Sequence, residues 1–383
     1  MPKNIVLCFD GTGNQFGPNN TNVVRLAQVL DRDPRRQRLY YDPGIGTLPE
    51  PGAFTRAGKW FSTLTALAFG ASLDRKVEEA YVSLMDNWEP GDQVYLFGFS
   101  RGAYTARVLA GLLHNLGLLA RGNENLVPYV WRLNAAVRDT QSTGDPSGYW
   151  KLCGEFRWSF ARQVREHDDE RRFPVHFLGV WDTVASVGWV WDPKRYPFTA
   201  RNTSVEVARH AVSIDERRWF FRQNLLERAE GQDLVQLWFP GTHGDIGGGD
   251  PESEGGLWRV AFGWMLDQAR AAGLLIDERR LERVLTRSTA SSKPWDDPQH
   301  DSLTGAWWLA EYFPKVVWNP ETKTTFPAIG GGRNRTIRDG DVLHKAALLR
   351  LREIEYAPPN LSESFRRRVK ELNVVPDSLA YEA

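Results

Sequence analysis

The stretch Gln93 to Ala103, QVYLFGFSRGA, constrains the fold of this chain more than any other. Val94 to Phe97 is an apolar run too short for a stable helix, and the turn signal Pro90-Gly91-Asp92 precedes it, so a buried strand is expected. Gly98-Phe99-Ser100-Arg101-Gly102 then matches G-x-S-x-G, a pattern in which strand turns abruptly into helix with a nucleophilic serine at the apex. Flanking glycines let the backbone on either side of such a turn approach closely. Residues Ala103 to Leu113 combine good helix formers with apolar positions three and four apart, as the turn requires. Ser100 Oγ is therefore expected exposed at the carboxyl end of the strand, beside helix N–H groups that suit an oxyanion. The plainer alternative is a serine in an ordinary glycine-rich turn.

A chain of 383 residues can bury a sizeable core in one large domain or two smaller ones. With 48 basic and 48 acidic residues there is no basic excess to point to nucleic acid. Cys8 and Cys153 make neither a disulfide framework nor a metal-ligand spacing, which favours a reducing compartment. The amino-terminal apolar run is broken by Asp10 and reads as a strand, not a signal peptide, so synthesis in the cytoplasm is expected. No stretch of about eighteen apolar residues suggests a membrane span. The 16 tryptophans point first to core clusters and second to an apolar surface that meets acyl chains.

Asn4 to Phe9 reads as a first strand opening into Asp10-Gly11-Thr12-Gly13-Asn14, a loop able to present backbone donors. A hydrolase of this kind takes one oxyanion donor from the residue after the nucleophile, here Arg101, and another from such a loop, here Gly11 or Thr12. A helix over Thr21 to Asp31, a strand over Arg38 to Tyr41 and a rigid turn at Asp42 to Gly46 follow. Residues 49–70 carry aromatics between glycines and are expected either to form a lid or to be a connecting helix. A helix over Ser72 to Trp88 leads into the serine strand, and residues 121–172 read as a helical insertion between sheet strands.

Phe173 to Trp181 restores the strand pattern and ends at Asp182, where a hydrolase triad places its orienting carboxylate; helix capping is the alternative reading. Asp233 to Phe239 is a further strand, and His243 lies in the glycine-rich loop after it, before a helix over Leu257 to Ala272. Ser100, Asp182 and His243 thus occur in the order nucleophile, acid, base of the α/β-hydrolases. His300, in the loop before a helix over Ala306 to Phe313, is the alternative base. The other five histidines sit in helical or strand patterns and are expected to be structural. Asp245, Asp250, Glu252 and Glu254 raise the idea of oxygen ligands for a metal, but their spacing fits no such loop, so solvated acids are expected and no metal or cofactor is assigned. The last part, from Pro320 onward, reads as glycine loops, a helix over Val342 to Arg352 and a polar tail with no further catalytic group.

Together, IVLCFDGTGN, YYDPGIGT, VYLFGFSRGAYTARVLAGLL, GVWDTVASVG, WFPGTHGDIGGG and HDSLTG resemble the α/β-hydrolases related to bacterial type VI secretion phospholipase effectors. The resemblance implies an α/β fold with a mostly parallel central sheet, helices on both faces and helical insertions, in one domain over 1–383. It implies a Ser-Asp-His site and lipase or phospholipase activity on acyl esters, with an acyl ester or phospholipid as substrate, peripheral membrane contact, and export by a signal-independent system. Esterase or amidase action on a small soluble substrate, or a silent binding module on the same fold, are the alternatives.

Overall fold

The computed structural model describes residues 2–11, 17, 19–44, 70–136, 146–164, 170–184, 188–189, 192–193, 196–251, 255–286, 293–305, 307–312, 314–319 and 324–382. Residues 49–69 of the expected lid lie outside them, as does Thr12.

Twelve strands are present among these residues: β1 (Asn4–Phe9), β2 (Gln37–Asp42), β3 (Gln93–Phe99), β4 (Val175–Trp181), β5 (Gly188–Trp189), β6 (Asp192–Pro193), β7 (Val205–Ser213), β8 (Asp233–Phe239), β9 (Lys315–Asn319), β10 (Thr324–Ala328), β11 (Val342–His344) and β12 (Ser378–Ala380). Eight of them form one sheet in the order β12-β11-β8-β7-β4-β3-β1-β2. All neighbours pair parallel except β12, which closes one edge antiparallel to β11. β5 with β6, and β9 with β10, are separate antiparallel pairs. The helices are α1 (Asn22–Val29), α2 (Gly70–Asn87), α3 (Arg101–Leu116), α4 (Val127–Ala135), α5 (Pro146–Phe160), α6 (His243–Gly247), α7 (Trp258–Ala271), α8 (Glu278–Thr286), α9 (Trp307–Glu311), α10 (Lys345–Glu353) and α11 (Glu363–Lys370).

A parallel sheet must be covered on both faces, and the alternation along its central strands divides the core accordingly. Ile5, Leu7, Phe9, Val94 and Leu96 pack with α2 and α3, whereas Val6, Cys8, Tyr95, Phe97 and Phe99 pack with α1 and α7. A third cluster, built on Trp238, Leu343, α10 and α11, covers the β12 edge. Cys8 and Cys153 are both free and buried. Most expected strands and helices stand within a few residues of their places, whereas the β5–β6 and β9–β10 pairs, α8, α11 and β12 were not expected, and two further differences bear on the main sheet. β7 is an unanticipated strand at the middle of the sheet, because VEVARHAVS buries Arg209 and His210 among apolar neighbours and so hides the alternation. Arg209 is satisfied there by Asp233, at 2.6 Å, and His210 by Gln236, at 2.8 Å. The expected helix over Val342 to Arg352 begins instead as β11, and His344 caps the helix that follows by accepting from Ala346 N.

The turn from β3 to α3 depends on backbone contact. A Cβ on Gly102 would lie 2.2 Å from the carbonyl oxygen of Phe9, and one on Gly98 would lie 2.5 Å from that of Gly102. Gly102→Ala is expected to cost about 1–3 kcal/mol through overpacking against the end of β1. Gly263→Ala on α7, where nothing stands within 4 Å, is expected to gain about 0.5–1 kcal/mol from helix propensity. Urea melts of the two variants check both signs.

Candidate active site

The three residues singled out as nucleophile, acid and base all follow the carboxyl ends of strands in the main sheet. Ser100 follows β3, Asp182 follows its neighbour β4, and His243 opens α6 four residues past β8. Carboxyl ends of parallel strands are where open α/β sheets bind ligands.

Ser100 is held at φ 60 and ψ −123, a conformation non-glycine residues rarely adopt. It is fastened by its own N–H to Trp181 O at 3.1 Å and by Val184 N donating to its carbonyl at 3.4 Å. Strain at a turn apex persists only where the surroundings over-determine it, and such sites are commonly functional. The residue is 6 % exposed, not the projecting serine expected from the turn alone. Its backbone is tied to the end of β4 and to the segment after it.

Asp182 is fully buried and has φ 40. Its Oδ2 accepts from His243 Nδ1 at 2.5 Å, and its Oδ1 accepts from Ser213 N at 2.9 Å. Arg335 spans both oxygens, Nη2 reaching Oδ2 at 2.9 Å and Nη1 reaching Oδ1. Burial alone would raise the carboxyl's pKa, but the Arg335 charge and the His243 hydrogen bond outweigh it and hold the group well below the usual carboxylate range.

His243 is 5 % exposed, with Thr242 and Asp245 forming a capping box around the start of α6. Its ring lies 4.5 Å from that of Phe99, the residue before Ser100, and 4.8 Å from that of Phe221. These contacts put the imidazole beside the elbow with Nδ1 committed to the carboxylate. Glu216 accepts from His243 N at 3.2 Å and is itself paired with Arg218 at 2.9 Å. Burial would raise the Glu216 pKa, yet the Arg218 charge brings it down to about 2. For His243 the order is different: burial lowers its pKa below the ordinary imidazole value despite opposing contributions from Asp182 and Glu216.

The expected oxyanion donors divide. Arg101 begins α3, and burial lowers its side-chain pKa to about 10, so the guanidinium stays charged near neutrality. Gly11 N already donates to Asp10 Oδ1 at 2.7 Å, while Asp10 Oδ2 takes Thr21 Oγ1 at 2.7 Å and Tyr41 Oη at 2.9 Å. Gly44, at φ 81, packs so tightly on this loop that a Cβ would meet Gly11 O at 2.1 Å.

His300 is joined to a different carboxylate, its Nδ1 lying 2.6 Å from Asp245 Oδ1. The described residues thus include two hydrogen-bonded histidine–aspartate pairs, of which the His243 pair includes Asp182. Asp250 lies 3.9 Å from His300 Nδ1, whereas Glu252 and Glu254 lie outside the described residues. Among the described residues no three His, Cys, Asp or Glu side chains are grouped to hold a metal ion. His114, His176, His210 and His344 each have structural hydrogen bonds, and His167 lies outside the described residues.

Arg335, Glu216 and Arg218 escaped the sequence analysis. Arg335 sits in a glycine-rich loop beyond residue 320, the part read as free of further site residues, and nothing local to GGGRNR ties it to an aspartate 153 positions earlier.

A mostly parallel sheet covered on both faces, with a strained serine elbow and an Asp–His pair at the same sheet edge, defines an α/β-hydrolase-like protein. The family model "T6SS, Phospholipase effector Tle1-like, catalytic domain" matches residues 3–268, and the chain belongs to that family. The family is one of lipase- or phospholipase-type hydrolases. The uncharacterized protein YEL023C of Saccharomyces cerevisiae is 40% identical over 227 residues, 58% of this chain and 32% of the yeast protein, so the match spans about a third of that relative. Two solved structures are partly alike at 20% identity. One is an uncharacterized protein from Pseudomonas aeruginosa, with TM-score 0.43 over 76% of this chain and 49% of that one. The other is the Tle1 effector bound to the VgrG spike from the type 6 secretion system, with TM-score 0.35 over 66% of this chain and 52% of that one. No helix among the described residues is long and apolar enough to cross a membrane.

Proposed function

We propose that this protein is a serine hydrolase that cleaves the acyl ester of a lipid, most simply a phospholipid, through an acyl-enzyme. The observation that carries the reading is the 2.5 Å bond from His243 to the buried Asp182, with the same imidazole packed on the residue preceding Ser100. Asp182 holds the proton on Nδ1, which leaves Nε2 as the basic nitrogen. His243 takes the Ser100 proton as Oγ attacks the ester carbonyl; the C–O bond to the alcohol then breaks, and the imidazolium returns the proton to the leaving oxygen. Water repeats the sequence on the acyl-enzyme and releases the fatty acid. The tetrahedral oxyanion is held by backbone N–H groups, Arg101 N at the start of α3 being the first donor. A second donor comes from the loop after β1, either Thr12 or Gly11 once the latter leaves Asp10.

A lipid substrate is favoured over a small soluble ester by the rim of the site. Trp307 packs on Phe221 at 5.4 Å, next to His243. On the same turn of chain Trp308, Leu309 and Tyr312 stand 43%, 63% and 64% exposed. Apolar surface of this kind suits acyl chains and a membrane interface. Within this reading the chain is one hydrolase domain, with 121–172 its helical insertion. Delivery as a secreted effector is part of the same proposal and rests on family membership alone.

Fluorophosphonate labelling, with nitrophenyl esters of graded chain length and phospholipid vesicles, tests the reading. Labelling at Ser100 with preference for long acyl chains is expected. Turnover of short esters only would favour the soluble-substrate enzyme, and no labelling at all the silent module.

The pH profile supplies a separate check. His243 must be neutral to act as base, and burial lowers its pKa. Protonation, and with it loss of activity, therefore sets in only below the ordinary histidine value of about 6.5. The acid limb of kcat/KM is expected to inflect below that pH, and an inflection above it would contradict the buried geometry.

A further inference from the structure

A cleft of about 790 Å³ lies between α1 and α8, away from Ser100. Among the described residues its wall includes Arg25, Arg32, Arg279, Arg280 and Arg283, against one carboxylate, that of Asp277. In a chain whose formal charge is zero, this is a local concentration and not a share of general basicity. Asp277 pairs with the Arg280 guanidinium at 3.3 Å, and its other oxygen accepts from the backbone N–H groups of Arg279, at 3.0 Å, and Arg280, at 3.3 Å.

The arrangement works against the stability of the empty protein. Arg279 and Arg283 stand four apart on one helix, where like charges destabilise. Burial and the facing charge of Arg280 both disfavour the cation on Arg32. Arg25 is 2 % exposed and held with its guanidinium carbon 3.5 Å above the Trp258 ring. A Cβ on Gly248 would come within 2.5 Å of Arg25 Nη1, so the inner wall also touches the loop that follows α6 and His243. Guanidinium forks match phosphate oxygens two at a time, and a cleft of this size admits a headgroup.

We propose that this cleft binds a phosphate-bearing anion, either the headgroup of an anionic phospholipid in a membrane or a free polyphosphate, through Arg279, Arg280 and Arg283. Bound at a membrane, it would fix the hydrolase's orientation on the bilayer. The site stands apart from the catalytic reading, because binding needs neither Ser100 nor turnover.

The test uses full-length Ser100→Ala protein, so that nothing is hydrolysed. Pyrophosphate is titrated calorimetrically, and flotation is measured with phosphatidylcholine vesicles with and without phosphatidylglycerol. Binding to phosphatidylglycerol vesicles without pyrophosphate binding identifies the headgroup; binding of pyrophosphate identifies the free anion. In either case Arg279→Gln/Arg283→Gln is expected to weaken binding about tenfold or more and to make what remains less sensitive to added salt, at no cost to the melting temperature, since a repulsive pair is removed. Lys151→Glu/Lys370→Glu, a larger charge change on other exposed faces, is expected to leave it nearly intact. Absence of binding to both probes, or an equal loss in the control variant, would overturn the proposal.

Discussion

Replacement of Ser100 by alanine is expected to reduce ester turnover by about 10³-fold or more and to abolish fluorophosphonate labelling, with the melting temperature nearly unchanged. His243→Ala should fall to a similar level, and the double variant little further, because groups that act as a unit do not add. His300→Ala is expected to stay within about tenfold of the parent, since its imidazole answers to Asp245 and not to the carboxylate behind His243. The three measurements together separate the candidates. Full activity in His243→Ala with loss in His300→Ala would move the base to the other pair.

Arg335→Met is expected to be the most destabilising single change in the site, by about 3–5 kcal/mol. Asp182 and Arg335 are 0% and 1% exposed, so the substitution leaves a buried carboxylate with only Ser213 N–H and His243 as partners. That loss is a large part of a typical folding free energy of about 5–15 kcal/mol, so Arg335→Lys, which keeps the charge without the fork, is the companion variant. A change in pH dependence distinguishes tuning from simple support. Arg335 neutralises the same carboxylate that holds the His243 imidazole, and Glu216 and Arg218 act on His243 as well. Removing the cation strengthens the carboxylate's hold on the imidazolium, raises the His243 pKa and moves the acid limb to higher pH. Arg335→Lys is expected to restore most of the limb's position. A limb that stays in place in Arg335→Met, in protein shown to be folded, would assign the arginine to stability alone.

Much of the sheet was legible because its central strands are short apolar runs bounded by turn signals. β1, β3 and β4 each bury nearly every side chain, and that continuity marks a parallel strand. β7 was not legible, since Arg209 and His210 interrupt its pattern and are satisfied only by partners on β8. The glycines at 98 and 102 were readable as close approaches, although what they approach, the end of β1 and the first turn of α3, was not.

The chain's own order of residues determined the serine elbow, because a strand, two flanking glycines and a helix are local properties of eleven consecutive positions. It also determined that an acid and a base follow later strands, since strand ends are marked by local pattern. Pairing was decided in three dimensions. Which histidine meets Asp182, that Arg335 clamps the same carboxylate, and that Ser100 lies covered all depend on contacts across 61 to 153 positions. Such contacts form only when packing brings the ends of separate strands to one edge, and they leave no trace in local composition.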